Sequence, residues 1–530
     1  MRGIPQTFSV MGKRKAVGID LGTTFCAIAH IDAYGKPQII PNAEGERITP
    51  SVTFFDGPNV IVGSAAKNSA VAEPEKIVDF VKREIGKPKE EFHREFDGKV
   101  YSAEELSALI LKKLKADAEK YLDEPVTDAV ITVPAYFNDA ERTATITAGQ
   151  LAGLNVLQLI NEPTAAALAY GLDKLAENQT VFVFDLGGGT FDVTIMRIAD
   201  HKIDMLATNG DHRLGGKDWD DIIVNWMAEE FDKLHSENPL LDLHSYQDLH
   251  NRALAGKIQL STRANTTLVH HHGGKSVKLE LTRKKFEKNT RHLLEKCKTI
   301  CEMVMQEAKL KWKDIDKVLL VGGMTRMPMI RTMISELSSL PLIDHVNPDE
   351  VVARGAAIQA ILSLLNEETA SGEELVGIET REQFSGLDGG LIHVTDITSH
   401  TLGVVLWDPK QLQEYVFPMI RKMTAIPAVT KNSFGTADAN MQRAVVKVVE
   451  GESTLPTECT PLGVCDIQLP PYLPKGSPVQ LTYQYNANQV LEVQVEAAGN
   501  RANVTIDRNT GLAPDEIKQA ASSLGELNVS

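Results

Sequence analysis

The chain is short of three things. It has no apolar run of about 18 residues, so no membrane-spanning helix is expected. It has few cysteines, and Cys26, Cys297, Cys301, Cys459 and Cys465 form an odd, sparse set that suits a reducing cytoplasm. It is short of positive charge, with 55 Lys and Arg against 71 Asp and Glu and a net charge of −16. That balance argues against a nucleic-acid binder, because phosphate contacts need a basic face. The run Lys13-Arg14-Lys15 is too short for a nucleic-acid arm and flanks the first strand. Residues 1–10 lack the apolar core of a signal peptide, and Met11 is an alternative start after a disordered extension. Two candidate metal sets also fall short. Cys297 and Cys301 stand one helical turn apart, but no His or Cys pair completes a set, so both read as buried helix thiols. His270, His271 and His272 read as a solvated loop before Gly273-Gly274.

What remains is ordinary globular material, 43% hydrophobic and 24% charged over 530 residues, enough for more than one domain. Within it one short phrase occurs twice. Residues 17–24 read Val-Gly-Ile-Asp-Leu-Gly-Thr-Thr, and residues 183–190 read Val-Phe-Asp-Leu-Gly-Gly-Gly-Thr. Each is an apolar strand that ends in Asp and turns through Leu-Gly to a threonine. Glycine has no Cβ, so the backbone at such a turn approaches a bulky anion closely, and its amides form a nest for phosphate oxygens. Thr23, Thr24 and Thr190 add hydroxyl donors. A carboxylate beside a phosphate repels it unless a cation lies between, and Mg²⁺ held through its waters by Asp20 and Asp185 fits. Two matched hairpins therefore predict a cleft that grips a nucleotide's phosphates from two sides.

Strands and helices alternate from residue 16 to about 366, an α/β texture. Strand candidates include 129–133, 181–185 and 318–321, and helical stretches include 103–121, 140–152, 218–235 and 282–310. Between Asn366 and Gly390 the texture changes, and residues 367–374 are polar, acidic and linker-like. From Asp396 to Asp507 the pattern is all-β, with strand-type runs at 444–449 and 490–495 and turn residues between them, which suggests a small β-sandwich. One further helical stretch covers 514–524.

The motifs stand in one order. Ile19-Asp20-Leu21-Gly22-Thr23-Thr24 is followed by Val133-Pro134-Ala135-Tyr136-Phe137-Asn138-Asp139-Ala140 and Asn161-Glu162-Pro163-Thr164-Ala165-Ala166-Ala167. Next come Phe184-Asp185-Leu186-Gly187-Gly188-Gly189-Thr190-Phe191-Asp192 and Leu214-Gly215-Gly216-Lys217-Asp218. Val321-Gly322-Gly323-Met324-Thr325-Arg326-Met327-Pro328 and Asn347-Pro348-Asp349-Glu350 complete the series. Together they resemble the Hsp70 (DnaK-type) chaperone family, densely over 16–362 and more thinly over 396–510.

The resemblance implies an α/β actin-like two-lobed ATPase domain followed by an all-β peptide-binding sandwich. The implied divisions are an N-terminal extension (1–15), the nucleotide-binding domain (16–366), a linker (367–395), the sandwich (396–510), and a vestigial lid helix and tail (511–530). ATP or ADP with Mg²⁺ are the implied cofactors. Lys82 matches the family's catalytic lysine, a cation able to orient the attacking water and stabilise charge on the γ-phosphoryl. Glu162, Asp185 and Asp192 match carboxylates around Mg²⁺ and the water, and Thr190 matches the threonine beside the γ-phosphate. Asp20, Gly22, Thr23, Thr24, Gly187, Gly188, Gly189, Gly215 and Gly216 match the phosphate-binding segments. Lys257, Ser261, Gly322, Gly323, Arg326 and Asp349 match the nucleoside contacts. Pro134 and Arg142 match a relay from the nucleotide to the lobe surface, and Val404, Trp407, Phe434, Ala437 and Val446 fall at peptide-groove positions. The partners implied are unfolded or extended polypeptides, a J-domain co-chaperone and a nucleotide exchange factor, in cytoplasmic protein folding and stress response.

The chain also departs from the family. Leu254 replaces a glutamate that bonds the ribose hydroxyls, which should weaken nucleotide binding or speed ADP release. Ile258 stands where some members have a base-stacking arginine. The linker Ile392-His393-Val394-Thr395 has two apolar residues where the family has a leucine-rich run, so its docking is expected to be weaker. The family's helical lid is missing after its first helix, so a bound peptide should leave quickly. Gln158 replaces an arginine used against J-domain partners, although Tyr136, Asn138 and Asp139 on the neighbouring surface are retained. Trp407 replaces a methionine that arches over the peptide, and Ala444 a larger pocket residue. These departures leave a second reading open, a nucleotide-binding regulatory or co-chaperone scaffold with slow or no turnover. A third, a sugar kinase or filament former of the same lobe architecture, conflicts with the sandwich and with the 134–140 phrase.

Overall fold

Two sheets repeat one design. In the first lobe the strand Ala16–Asp20 runs parallel to Asp128–Val133 and antiparallel to Phe25–Ile31. In the second, Gln179–Leu186 runs parallel to Lys317–Val321 and antiparallel to Phe191–Ala199. Both central strands are apolar runs buried along almost their whole length, as strands covered on both faces must be. Each therefore delivers its terminal Asp to the carboxyl end of a parallel pair, where α/β sheets open their crevices. This computed structural model describes residues 14–171, 177–200, 202–343, 346–377, 380–381, 384, 393–504, 512 and 514–530. Most of the expected N-terminal extension, Ile392 of the linker, and Thr510, Gly511 and Ala513 lie outside the described residues.

The helix Val351–Ser371 crosses beneath both lobes, against Ala16–Asp20 and the helix Glu162–Gly171. Glycines permit that approach. A Cβ on Gly18 would stand 1.9 Å from the Ala357 nitrogen, and one on Gly355 would stand 1.7 Å from the Ala165 carbonyl oxygen. Gly355→Ala is accordingly expected to cost about 3 kcal/mol or more, because the obstacle is backbone and cannot yield. Urea unfolding midpoints measure this, and an unchanged midpoint would contradict the packing. The helix runs past residue 366, where polar composition predicted the linker to begin. Its last turns are polar because they are mostly exposed, and Gly372, at φ 74, ends it.

Two other expectations are corrected. The helix predicted over 282–310 is two, Arg283–Asn289 and Arg291–Glu307, broken at Thr290, whose hydroxyl bonds the Phe286 carbonyl at 2.9 Å. His270–His272 is no solvated loop but the end of the strand Asn265–His272. His270 is fully buried with Nδ1 2.8 Å from Asp248 Oδ2, and His272 lies against Ser245 Oγ at 2.5 Å. Alternation turns His270 and His272 inward and His271 outward, a period of two hidden by identical residues.

The β-rich domain is a sandwich of two four-stranded sheets. One holds Leu402–Asp408 and Arg443–Glu450, and the other holds Ala428–Gly435 and Pro478–Tyr485. The buried Tyr483 hydroxyl donates to the Gly403 carbonyl at 3.0 Å, tying the sheets together. Each end of this domain is fastened to a different lobe. His393–Ile397 pairs in parallel with Lys202–Asp211 of the second lobe, then antiparallel with Ala425–Ile426. The helix Pro514–Gly525 packs on the first lobe, burying Ala520 and Leu524 in its core. Beyond it, Asn528–Val529 pairs in parallel with Asn59–Val60, a strand the sequence did not announce.

Candidate functional site

The two hairpins meet across the lobes. A Cβ on Gly188 would stand 2.2 Å from Thr24 Oγ1, and one on Gly189 would stand 2.4 Å from Thr23 Cγ2, so glycine at these two positions lets the hairpins approach this closely. Between them opens a cavity of about 640 Å³, a volume within the range of small-molecule sites. The predicted phosphate and nucleoside residues line it, except Gly189, Gly215 and Asp192, which sit just behind its wall. Gly322, at φ 83, carries the chain past the Leu186 carbonyl, which its Cβ would approach to 2.3 Å.

At one end, Lys82 is buried and bonded to Glu162. The chain enters this position through Phe80, held in the left-handed region at φ 54, and the short turn Val81–Glu84. Burial alone would lower the lysine pKa, but Glu162 and Asp20 outweigh it and hold the ammonium protonated. Asp20, which accepts from Thr132 Oγ1 at 3.3 Å, is pushed up to about 7 by burial and by Glu162. Burial and Glu162 push Asp192 to about 8, and Asp185 stands well above the ordinary carboxylate range for the same reasons. Four carboxylates thus gather round one lysine, and the upward shifts of Asp20, Asp185 and Asp192 mark a site short of positive charge.

At the other end, Lys257 donates to Asp220 Oδ2 and the Gly216 carbonyl, both at 2.7 Å. Arg326 pairs with Asp349 at 2.5 Å. Leu254 and Ile258 line the same wall from the helix Leu243–Leu260. Sequence reasoning gave no role to Arg83, Lys217 or Asp220, although Lys217 and Asp220 line the cavity.

Behind Asp192 lies a path to the sandwich. Asp192 Oδ1 accepts from the Tyr136 N–H at 3.2 Å, while the Tyr136 carbonyl faces His400 Nε2 at 3.2 Å. Pro134 opens this loop. Arg142, fully buried, donates to the carbonyls of Phe137 at 3.0 Å and Ala135 at 3.1 Å and to Asn161 Oδ1 at 2.8 Å. Asn161 in turn donates to Asp396 Oδ2 at 2.6 Å. Ser399 bonds the Ala135 carbonyl, Leu491 N–H donates to Asp139 Oδ1 at 2.8 Å, and Lys422 pairs with Glu307 at 2.7 Å.

The groove candidates are scattered. Val404 and Val446 are buried in the sandwich core, and Phe434 packs against it and against Phe417. Trp407, an odd number of positions from Val404 on one strand, is 52% exposed on the other face, and Ala437 is exposed. Gln158 is turned inward, accepting from Gln359 at 2.8 Å and Ser363 at 3.3 Å.

Twin Asp-Gly-Thr hairpins around one cavity, with a β-sandwich docked on both lobes, define a two-lobed cleft protein carrying an accessory β domain. The chain belongs to the Hsp70 family: residues 16–528 match the family described as Hsp70 protein. It is 40% identical over 519 residues to "Chaperone protein DnaK" of Thermotoga neapolitana, covering 96% of this chain and 83% of that one. Over the same span it is 39% identical to the protein of that name in Thermotoga maritima. It is also 39% identical over 496 residues to that of Thermosipho melanesiensis, covering 92% and 79% of the two chains.

Proposed function

We propose that this chain is a chaperone that binds and hydrolyses ATP between its lobes and binds extended apolar segments of unfolded proteins through its sandwich. The observation that carries the reading is the Lys82–Glu162 pair set between the two hairpins, in a cavity of nucleotide size. Lys82 remains charged in acid-rich surroundings, so it is placed to neutralise the γ-phosphoryl and orient the attacking water. The Gly188 amide and the hydroxyls of Thr23, Thr24 and Thr190 line the cavity as donors for phosphate oxygens.

The donor set fits Mg²⁺. The excess of carboxylates over lysine calls for a cation, and among the described residues no three acidic, His or Cys side chains form a direct ligand cluster. Asp20 and Asp185 would hold the ion through its waters. Bound there, Mg²⁺ would screen phosphate charge. Glu162 lines the space left for the water, with Asp192 behind it.

Several finer features belong to this reading. The nucleotide-binding domain starts at residue 16 and runs to the end of the helix Val351–Ser371, past the expected boundary at 366, and the sandwich spans 396–510. Linker docking rests on main-chain pairing with few apolar side chains, so it reverses readily. J-domain stimulation is weakened by the inward Gln158. All five cysteines are unpaired thiols, and among the described residues no helix is long and apolar enough to cross a membrane. Both observations support a cytoplasmic setting and soluble partners, including a nucleotide exchange factor.

Calorimetric titration with Mg-ATP, followed by single-turnover hydrolysis, tests the reading. Binding and turnover are expected. Tight binding with no turnover and no peptide affinity would favour the scaffold reading, which the apolar Leu254 wall supports. Leu254→Glu should tighten nucleotide binding about tenfold by restoring one charged hydrogen bond. Unchanged affinity in a fluorescent-nucleotide titration would mean that the ribose does not face this helix.

A further inference from the structure

In the turn Gly187–Thr190 the three glycine carbonyls are all held from behind. The amides of Gly216 and Lys217, at the start of the helix Gly216–His235, donate to the carbonyls of Gly187 at 2.9 Å and Gly188 at 2.8 Å. The third carbonyl, that of Gly189, receives Arg83 Nε at 3.1 Å and Nη2 at 2.8 Å. Arg83 also pairs with Asp218 Oδ2 at 2.6 Å, and that same oxygen accepts the Gly215 N–H at 2.7 Å. The first two donors belong to the second lobe, whereas Arg83 reaches over from the first. Its side chain is 12% exposed.

A peptide unit is planar, with C=O and N–H on opposite sides. Holding the Gly189 carbonyl toward Arg83 therefore turns the Thr190 N–H the other way, and Thr190 lines the cavity. We propose that Arg83 is a positioning residue that makes the second phosphate turn competent only when the lobes are closed. It fixes the 189–190 peptide plane from across the cleft, so opening the cleft releases the plane and loosens the nucleotide. Lys82, one residue earlier, points into the cavity while Arg83 points behind the turn, so both arrive on one short segment.

The inference rests on the nucleotide reading of the cavity, and the experiment separates the two. Dissociation of fluorescent ADP and ATP is measured by stopped flow for the wild type, Arg83→Ala and Arg83→Lys, with apo-protein melting as a folding check. Arg83→Ala is expected to release nucleotide about tenfold faster or more, with the apo protein lowered slightly in melting temperature but still unfolding cooperatively. Arg83→Lys, which keeps the charge without the fork, should fall between the two. Release from Arg83→Ala within about twofold of wild type overturns the assignment and leaves the nucleotide site standing. A wild type that binds neither nucleotide overturns both.

Discussion

Lys82→Met should lower single-turnover ATP hydrolysis by about 10³-fold, the size of effect seen when one preorganised cation is removed from phosphoryl transfer. Lys82 is the cation bonded to Glu162, Asp20 and Asp185 line the same cavity end, and Asp192 lies just behind it. Without it, the attacking water lies among carboxylates with no counter-charge. Methionine keeps the length and apolar stem, so the buried position stays filled. Nucleotide affinity should fall by less than about tenfold, because hairpin amides and hydroxyls carry most of the phosphate contacts. The loss is then in turnover and not in binding. Equal rates for the two proteins would remove Lys82 from the chemistry.

The second large effect concerns pH. Glu450 ends the strand Arg443–Glu450 and is 4% exposed, with the Asp139 backbone its one hydrogen-bonding neighbour among the causes of its shift. Burial pushes its pKa from 4.5 to about 8, with Asp139 and Glu141 of the first lobe adding to the shift and Arg142 opposing it. Tyr485 and Asp396 face the same space. The docked sandwich therefore holds a proton on Glu450 that the undocked one releases. Docking is fully favoured below the free value of 4.5 and is lost as pH rises through about 8, with a slope approaching tenfold per pH unit between.

Two neighbours titrate outside the upper part of that window. Burial lowers His400 from 6.5 to about 4, so it opposes docking only as pH falls below 6.5. Burial raises Asp396 from 3.8 to about 6, which acts in the same sense as Glu450 but ends lower. Energy transfer between labels on the first lobe and the sandwich should show docking falling between pH 6.5 and 8. In Glu450→Gln the fall should vanish and docking at pH 8 should strengthen. The same pH profile in both proteins would remove Glu450 from the linkage.

The hairpins were legible in the sequence because everything they need is local. An apolar strand, Asp, Leu, Gly and Thr are contiguous at residues 17–24 and again at 183–190. Lys82 and Glu162 were each picked out only through the family resemblance, and their pairing stayed hidden because they lie far apart in the chain. Arg83 stayed invisible because its partners, the Gly189 carbonyl and Asp218, belong to the other lobe. The strand Asn528–Val529 is two residues long and exists only through its pairing with Asn59–Val60, so no periodicity announced it. The groove candidates rested on position along the chain alone. Alternation along Leu402–Asp408 puts Val404 and Trp407 on opposite faces, a distinction that an alignment does not carry.

We propose that the cavity influences the sandwich through the docked interface, by way of the Asp192–Tyr136–His400 contacts and the strand His393–Ile397, with coupling weakened by the apolar-poor linker. Dissociation of a fluorescent apolar peptide, timed with saturating ATP and again with ADP, tests it most directly. A clearly faster release with ATP is the predicted result. Identical rates with both nucleotides bound would mean that the nucleotide site and the sandwich do not communicate.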